Sequence, residues 1–242
     1  MYGENGPALE ADLFLVRAAS LRARSLASVS SRDRTLPLNT TYLEEIEAEA
    51  RDLNNALAAW FRSVPSEWKY QISHTNIEVT STDMFYDNTV YNYTTPAHAC
   101  IWNRCRAVGL IANSIRFEVI KSLEITSQSP MRIQQQDLCL HQLECLATDM
   151  CRSVPSFFNV PNLIKDATGL KSIKLGSGYF SSDCDIFPKL AGLLAWPLTV
   201  AVSTSAVPDP PKQWLRRKLK AVAVALGDNV LQSVLANGEF RF

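Results

Sequence analysis

The chain has 242 residues, of which 47% are hydrophobic, and its 24 Lys and Arg balance its 24 Asp and Glu, so the formal net charge is zero. This length and apolar content suffice for one large domain or two fused halves. Nucleic-acid-binding modules usually carry a basic excess, because phosphate neutralisation supplies most of their affinity, so this composition argues against a DNA-binding surface.

Targeting and redox signals are absent from the sequence. The start MYGENGPALE lacks the basic and apolar regions of a signal peptide, and no apolar run reaches the roughly 18 residues of a membrane span. The six cysteines contain no C-x-x-C pair, which favours reduced and mostly buried thiols in an intracellular protein.

Two amphipathic helices are predicted near the N-terminus, over residues 9–29 and 40–62. In the second, Thr41 with Glu44 is typical of a capping box. The apolar residues of the first are Leu13, Val16, Leu21 and Leu26, and those of the second are Leu43, Ile46, Ala50, Leu53, Leu57 and Trp60. We expect a solvated face from Glu45, Glu47, Glu49, Arg51 and Asp52 of the second helix.

The middle of the chain holds an irregular segment and then two long helices. Residues 66–94 are rich in aromatics and Thr, which favours a loop that packs its aromatics, with a short strand as the alternative. Thr95-Pro96 and Ser129-Pro130 are helix start signals. The first helix runs to about residue 123, and the second ends at the stretch CRSVP, residues 151–155, because a proline disfavours the helical conformation before it.

The last third is predicted as a long connection followed by three helices. The connection covers 156–187, with a short helix near 162–167. The next helix, 188–204, is apolar on nearly all sides and contains Pro197. Another opens at Asp209 and ends at Gly227, and a short one covers 228–236. The fold class is therefore all-α, a multi-helix domain whose long helices pack antiparallel.

No enzyme signature is present, and no metal or cofactor site is expected. His141 and Glu144 give one reversed copy of a di-iron motif that needs two copies in the other order. Two acids beside Cys184 oppose a reactive thiolate. The basic segment KQWLRRKLK, residues 212–220, keeps helical apolar spacing, so its charges are predicted to form a solvated face or else a partner surface. The candidate pocket or partner residues are Asn103, Arg106, His141, Trp214, Arg216 and Arg217.

Five motifs in order across residues 40–237 resemble one family. They are L-x-x-W-x-x-S-V-P-x-x-W from Leu57, W-N-x-x-R from Trp102, S-V-P from Ser153, L-x-W-P-L from Leu194 and W-x-x-x-x-L from Trp214. Together they resemble the C-terminal regulatory region of fungal binuclear zinc-cluster transcription factors and of their relatives without the cluster. The resemblance implies that the prolines and Trp60, Trp68, Trp102, Trp196 and Trp214 are packing landmarks of an all-helical domain.

The resemblance also implies a function and a domain layout. It divides the chain into an N-terminal helical segment, 1–38, and a regulatory helical domain, 39–242. It implies a nuclear protein that regulates transcription, in secondary metabolism among other settings, through protein partners and a small-molecule effector. DNA would be contacted only through a zinc cluster, and residues 1–60 contain no cysteine. Gly109 stands where the family has a further arginine.

Two alternatives remain open at the sequence level. One is an all-α small-molecule-binding protein or enzyme, which predicts that Asn103, Arg106 and His141 converge on a cavity. The other is a dimerisation or scaffold module, which predicts that the apolar stripe from Leu43 to Leu57 stays exposed in the monomer.

Overall fold

The structure is a computed structural model that describes residues 6–30, 40–74, 84–124, 129–158, 186 and 188–237. In these ranges the chain is all-α, as predicted, with one two-stranded sheet. The helices are α1 Pro7–Ser30, α2 Thr40–Ser63, α3 Pro96–Glu124, α4 Pro130–Ser153, α5 Pro188–Ser203, α6 Asp209–Leu226 and α7 Asn229–Asn237, and the strands are β1 Gln71–His74 and β2 Thr89–Asn92. The predicted helix at 162–167 and Cys184 with its acids lie outside the described residues.

Most helix ends follow the local sequence signals. The Thr95 hydroxyl accepts a hydrogen bond from the His98 backbone N–H at 3.2 Å, so it caps α3 as predicted. Gly227 has a φ of 65°, and its N–H together with that of Asp228 bonds back to the carbonyls of Val224 and Ala223, which completes a Schellman cap on α6. One prediction shifts: α2 begins at Thr40, so Thr41 lies within its first turn and not at the cap position.

The chain divides into two compact units, each built from several segments. The first comprises Met1–Val64, Arg104–Ala147 and Thr204–Pro208, and the second comprises Pro65–Asn103, Thr148–Ser203 and Asp209–Phe242. Helices α3 and α4 contribute residues to both units. The boundary predicted between 38 and 39 falls in a segment outside the described residues, and that division stays a prediction.

In the first unit, α1 packs antiparallel to α2. The Trp60 indole N–H donates to the Pro7 carbonyl at 3.2 Å, and Arg24 pairs with Glu49, so the start of one helix lies beside the end of the other. The predicted stripe on α2 from Leu43 to Trp60 is buried throughout.

The apolar face predicted for α1 is wrong in part. Leu13, Val16 and Leu26 are exposed, and Leu21 alone of the predicted set is buried. The helix instead buries Ala11, Phe14, Ala18 and Leu21. The spacing of these four residues follows the helical period more closely than the predicted set does, and the small side chains of Ala11 and Ala18 allow close helix packing.

In the second unit, the segment predicted as a loop forms a β-hairpin in part. Strands β1 and β2 pair antiparallel with Ile72 opposite Tyr91. Tyr70 stacks on Tyr91 with ring centroids 4.1 Å apart and meets Trp102 edge-on at 5.0 Å. The segment packs its aromatics as predicted. The favoured loop is wrong over β1 and β2, where a strand, which was the alternative, forms.

Helix α5 carries Pro197 in its interior, as predicted. Proline has no backbone N–H, so the carbonyl four residues earlier, that of Leu193, loses its helical donor. The Cys100 thiol lies 3.9 Å from that carbonyl oxygen and donates toward it. The helix is less uniformly buried than its composition predicts, because Trp196 is 39% exposed.

Candidate functional site

Helix α6 presents a basic surface, which we define as Arg216, Arg217 and Lys220. All three side chains are exposed, and Lys220 lies next to both arginines on the helix because it follows them by four and three residues. The opposite face fixes the helix in the core through Trp214, Leu215, Lys218, Leu219, Val222 and Ala223, which are buried. The prediction that the charges of residues 212–220 form a solvated face is therefore correct for these three residues.

Two lysines of the same segment do not belong to this surface. Lys218 is buried, and its ammonium lies 5.1 Å from the centroid of the Trp214 ring and 5.4 Å from that of Phe158. These are cation–π distances, so the charge is stabilised by ring faces instead of water. Lys212 is half-buried, and burial lowers its pKa, partly offset by Asp209. Of the five cations in residues 212–220, three therefore lie on the exposed face.

Trp214 combines a packing role with an unused polar group. Its ring meets Tyr86 edge-on at a centroid distance of 6.1 Å, and it is almost completely buried. The indole N–H has no hydrogen-bond partner among the described residues. Trp214 was predicted as a pocket or partner residue, and the structure places it in the core behind the basic surface.

Asn103 and Arg106 lie on α3 and are both buried, with 0% and 1% of their surfaces exposed. They belong to the W-N-x-x-R motif, whose Trp102 donates its indole N–H to the Trp68 carbonyl at 2.8 Å. Neither side chain lies on an exposed surface, so neither contributes to a partner-binding surface in this structure.

His141 lies on the exposed side of α4, unlike Asn103 and Arg106. Its ring Nε2 is 3.6 Å from the Sγ of Cys145, one helical turn later. The enzyme or ligand-binding alternative predicted that all three residues converge on a cavity, but two of them are buried and His141 is exposed.

Gly109 lies at a close approach of α3 and α4. A Cβ atom placed on Gly109 would lie 2.9 Å from the Cδ1 of Leu146, so α3 and α4 approach closely here. A larger side chain, including the arginine of the resembled family, would require Leu146 to move.

A polar network in the second unit was missed at the sequence level. Arg152 donates from Nε and Nη2 to one oxygen of Asp87 at 3.0 and 2.8 Å, and Tyr91 donates to Asp149 at 2.6 Å. Burial and the bond to Asp149 raise the pKa of Tyr91. Burial alone would lower the pKa of Arg152, but its hydrogen bonds to Asp87 and Tyr91 outweigh that effect and raise it.

This network attaches the hairpin to the end of α4, since the Ser156 hydroxyl also donates to the Tyr91 carbonyl at 2.7 Å. The only local signals in the sequence were an arginine just before the S-V-P turn and an acid just before β2. Neither signal identifies the other as its partner, because 65 residues separate them.

A second missed feature lies in the first unit, where Glu47 was predicted to be solvated. It is buried, and Arg116 donates to its Oε1 from Nε and Nη2, both at 3.0 Å. Nearby, Asn54 donates to Asn113 at 2.9 Å. These contacts join α2 to α3 through polar groups, so they define helix packing more than a surface for chemistry.

Two further kinds of functional feature, a metal site and a membrane span, concern the described ranges. In them, no three or more His, Cys, Asp and Glu side chains come together in a group able to hold a metal ion. None of the described helices has the length and apolar character needed to cross a membrane.

Comparisons with models of protein families, with curated proteins and with solved structures return no match to this chain.

Proposed function

We propose that the chain is the regulatory or effector part of a fungal transcription regulator, which acts in the nucleus through protein contacts and carries no DNA-binding zinc cluster of its own. The observation that carries the proposal is the position of the five family-like motifs within the helical scaffold. Each falls at a helix end, inside a helix or in the core, where a packing landmark is expected.

The individual positions support this. Trp60, Trp102 and Trp214 are buried, and the first two donate their indole N–H groups to backbone carbonyls. The S-V-P turn ends α4, and Ser153, Val154 and Pro155 are all buried. Pro197 lies inside α5 as the fourth motif requires. Trp196 departs from the pattern, because it is partly exposed.

The contact surface in this proposal is the basic surface of α6. Its three exposed cations lie on a helix whose only acidic residue is Asp209 in the first turn. Arg and Lys at such a surface favour partners with carboxylates, and they set association rate and specificity more than raw affinity. Three cations are few for DNA, whose binding strength grows with each phosphate neutralised.

The test is a tethering assay in yeast, with the full chain fused to an unrelated DNA-binding domain upstream of a reporter. We expect the fusion to change reporter expression, and the triple variant Arg216→Glu/Arg217→Glu/Lys220→Glu to lose at least half of that change. The matched control Arg62→Glu/Lys121→Glu/Lys189→Glu alters three other exposed cations by the same charge and should retain it.

An inert fusion, or an equal loss in the control variant, would contradict the proposal. A companion mobility-shift measurement on generic duplex DNA should show no binding of the unfused chain at low salt. Salt-sensitive binding that the triple variant abolishes would instead make the basic surface a nucleic-acid contact.

The alternatives gain less support. The small-molecule or enzymatic reading depended on convergence of Asn103, Arg106 and His141, and the last of these is exposed while the others are buried. The dimerisation reading depended on exposure of the α2 stripe, and Leu43, Ile46, Leu53 and Leu57 are covered within the chain.

A further inference from the structure

The exposed face of α4 holds two side chains that ligate metals, and their spacing fits one ion. His141 Nε2 and Cys145 Sγ are 3.6 Å apart on an exposed helical turn. Zinc binds thiolate sulfur at about 2.3 Å and imidazole nitrogen at about 2.0–2.1 Å with tetrahedral angles, which holds the two ligand atoms about 3.6 Å apart. The side chains are thus already at the distance that one zinc ion requires.

Two ligands make only half of a tetrahedral shell. The described residues of the same chain supply no third His, Cys, Asp or Glu at this position. Structural zinc sites are closed by four protein ligands, with Cys2His2 among the common sets. A second copy of the chain, bringing its own His and Cys, would complete that set.

The same helix face has the pattern of a helix-pairing seam. Met131, Leu138 and Cys145 recur every seven residues, with Gln134 and His141 three residues after the first two, which is the a and d spacing of a coiled coil. Met131 is 68% and Leu138 is 48% exposed, although both are apolar. Pairing two copies along this seam would cover them and bring the two His–Cys pairs together.

The two edges of the seam carry polar residues. Asp137 and Glu144 lie on one edge of the seam, and Gln135 and Gln142 lie on the other. In a parallel pair, Asp137 faces Gln142 of the other helix and Glu144 faces Asp149, so these flanking contacts add little to the association. Two apolar side chains per copy bury too little surface for a stable dimer, so association should depend on the metal.

We propose that His141 and Cys145 form half of a Cys2His2 site for zinc, which a second copy of the chain completes by pairing along the same face of α4. The proposal is independent of the transcriptional role. Metal binding displaces the thiol proton of Cys145 and uses the neutral imidazole of His141.

The test uses the full chain in a phosphine reductant, with its mass measured by light scattering during zinc titration. We expect one zinc per two chains and a doubling of the mass from 27.0 kDa, reversed by a chelator. Cobalt in place of zinc should give thiolate-to-metal absorption. His141→Gln and Cys145→Ser should each weaken zinc-dependent dimerisation at least tenfold, while His74→Gln and Cys100→Ser should leave it unchanged.

A further variant, Leu138→Glu, alters the seam but not the ligands, and it should weaken dimerisation while the helix content by circular dichroism stays unchanged. Zinc bound by a single chain with no change in mass would overturn the proposal. So would a dimer that survives the chelator, one that persists in Cys145→Ser, or one that only reductant removes, since the last would be a disulfide.

Discussion

The two units differ in how deeply each places its main ion pair. In the first unit, the side chains of Arg116 and Glu47 are 6% and 11% exposed, whereas in the second those of Arg152 and Asp87 are 29% and 32% exposed. When a buried pair loses one partner, the other charge stays uncompensated in a medium that hydrates it poorly. A half-exposed partner can be hydrated instead. The depth of a pair, more than its geometry, should therefore set how much the fold depends on it.

The largest expected effect is at the buried pair. Arg116→Met should lower the free energy of unfolding by about 3–5 kcal/mol, because it leaves the Glu47 carboxylate buried without its main partner. The double variant Glu47→Met/Arg116→Met should recover most of the loss, since it removes both charges. Urea unfolding of both variants measures these changes.

The control for that experiment is Arg51→Met, which removes the exposed partner of the same carboxylate at 3.2 Å. It should cost less than about 0.5 kcal/mol. If Arg116→Met is as stable as Arg51→Met, the burial of the ion pair does not set its contribution to stability.

The next effect extends the comparison to buried thiols in both units, namely Cys105 in the first and Cys151 in the second. Burial raises the pKa of Cys105 to about 12, and it also raises that of Cys151. Unfolded thiols titrate near about 8.5, so the folded state holds these protons longer. Stability is therefore full below about pH 8.5 and falls as the pH rises toward the folded pKa values, by up to about 1.4 kcal/mol per pH unit for each thiol.

Denaturant unfolding between about pH 7 and 10.5 measures that slope. Cys105→Ala should be less stable at neutral pH because it leaves a small cavity, but its stability should fall less steeply with pH. The same slope in the variant and the wild type would show that this thiol does not control the alkaline transition.

A smaller effect is expected at the half-exposed pair. Asp87→Asn should cost about 1–2 kcal/mol, because Arg152 loses a charged acceptor but keeps access to water. The amide oxygen of the new side chain can still accept from the Thr89 backbone N–H, which now bonds to Asp87 at 2.8 Å. A cost in urea unfolding equal to that of Arg116→Met would remove the distinction between the two units.

The smallest effects test backbone conformation within the second unit. Gly227→Ala should destabilise the chain by about 1 kcal/mol, because alanine is strained at the positive φ of the cap. Gly192 lies inside α5 without a positive φ, and a Cβ added there would meet no atom within 4 Å. Gly192→Ala should therefore stabilise the chain by about 0.5–1 kcal/mol. Thermal unfolding should shift in opposite directions, and a shift in the same direction would contradict this account.

Local signals account for most of what the sequence predicted correctly. Proline and threonine at Thr95-Pro96, and glycine at Gly227, act on the backbone within a few residues, so a helix end can be read from them directly. The stripe on α2 is similar, because its large apolar residues follow the helical period without interruption.

The incorrect predictions concern partners that are distant in the sequence. Glu47 has the same local surroundings as its exposed neighbours, and only the approach of Arg116 from α3 makes it a buried residue. On α1, the prediction followed the large apolar side chains and passed over Ala11 and Ala18, which belong to the buried face. The candidate site was affected in the same way, since Lys218 and Arg216 look alike in the basic run but differ in burial.

The proline of α5 has a consequence for how that helix is oriented about its own axis. A helix that is apolar on most sides has little amphipathic contrast, so turning it by one residue or sliding it by one turn would bury similar side chains. The Leu193 carbonyl has no helical donor because Pro197 lacks a backbone N–H. It lies at one position around and along α5, and the Cys100 thiol faces it. The contact between this carbonyl and Cys100 therefore favours one rotation and one axial position of α5 relative to α3 over the others.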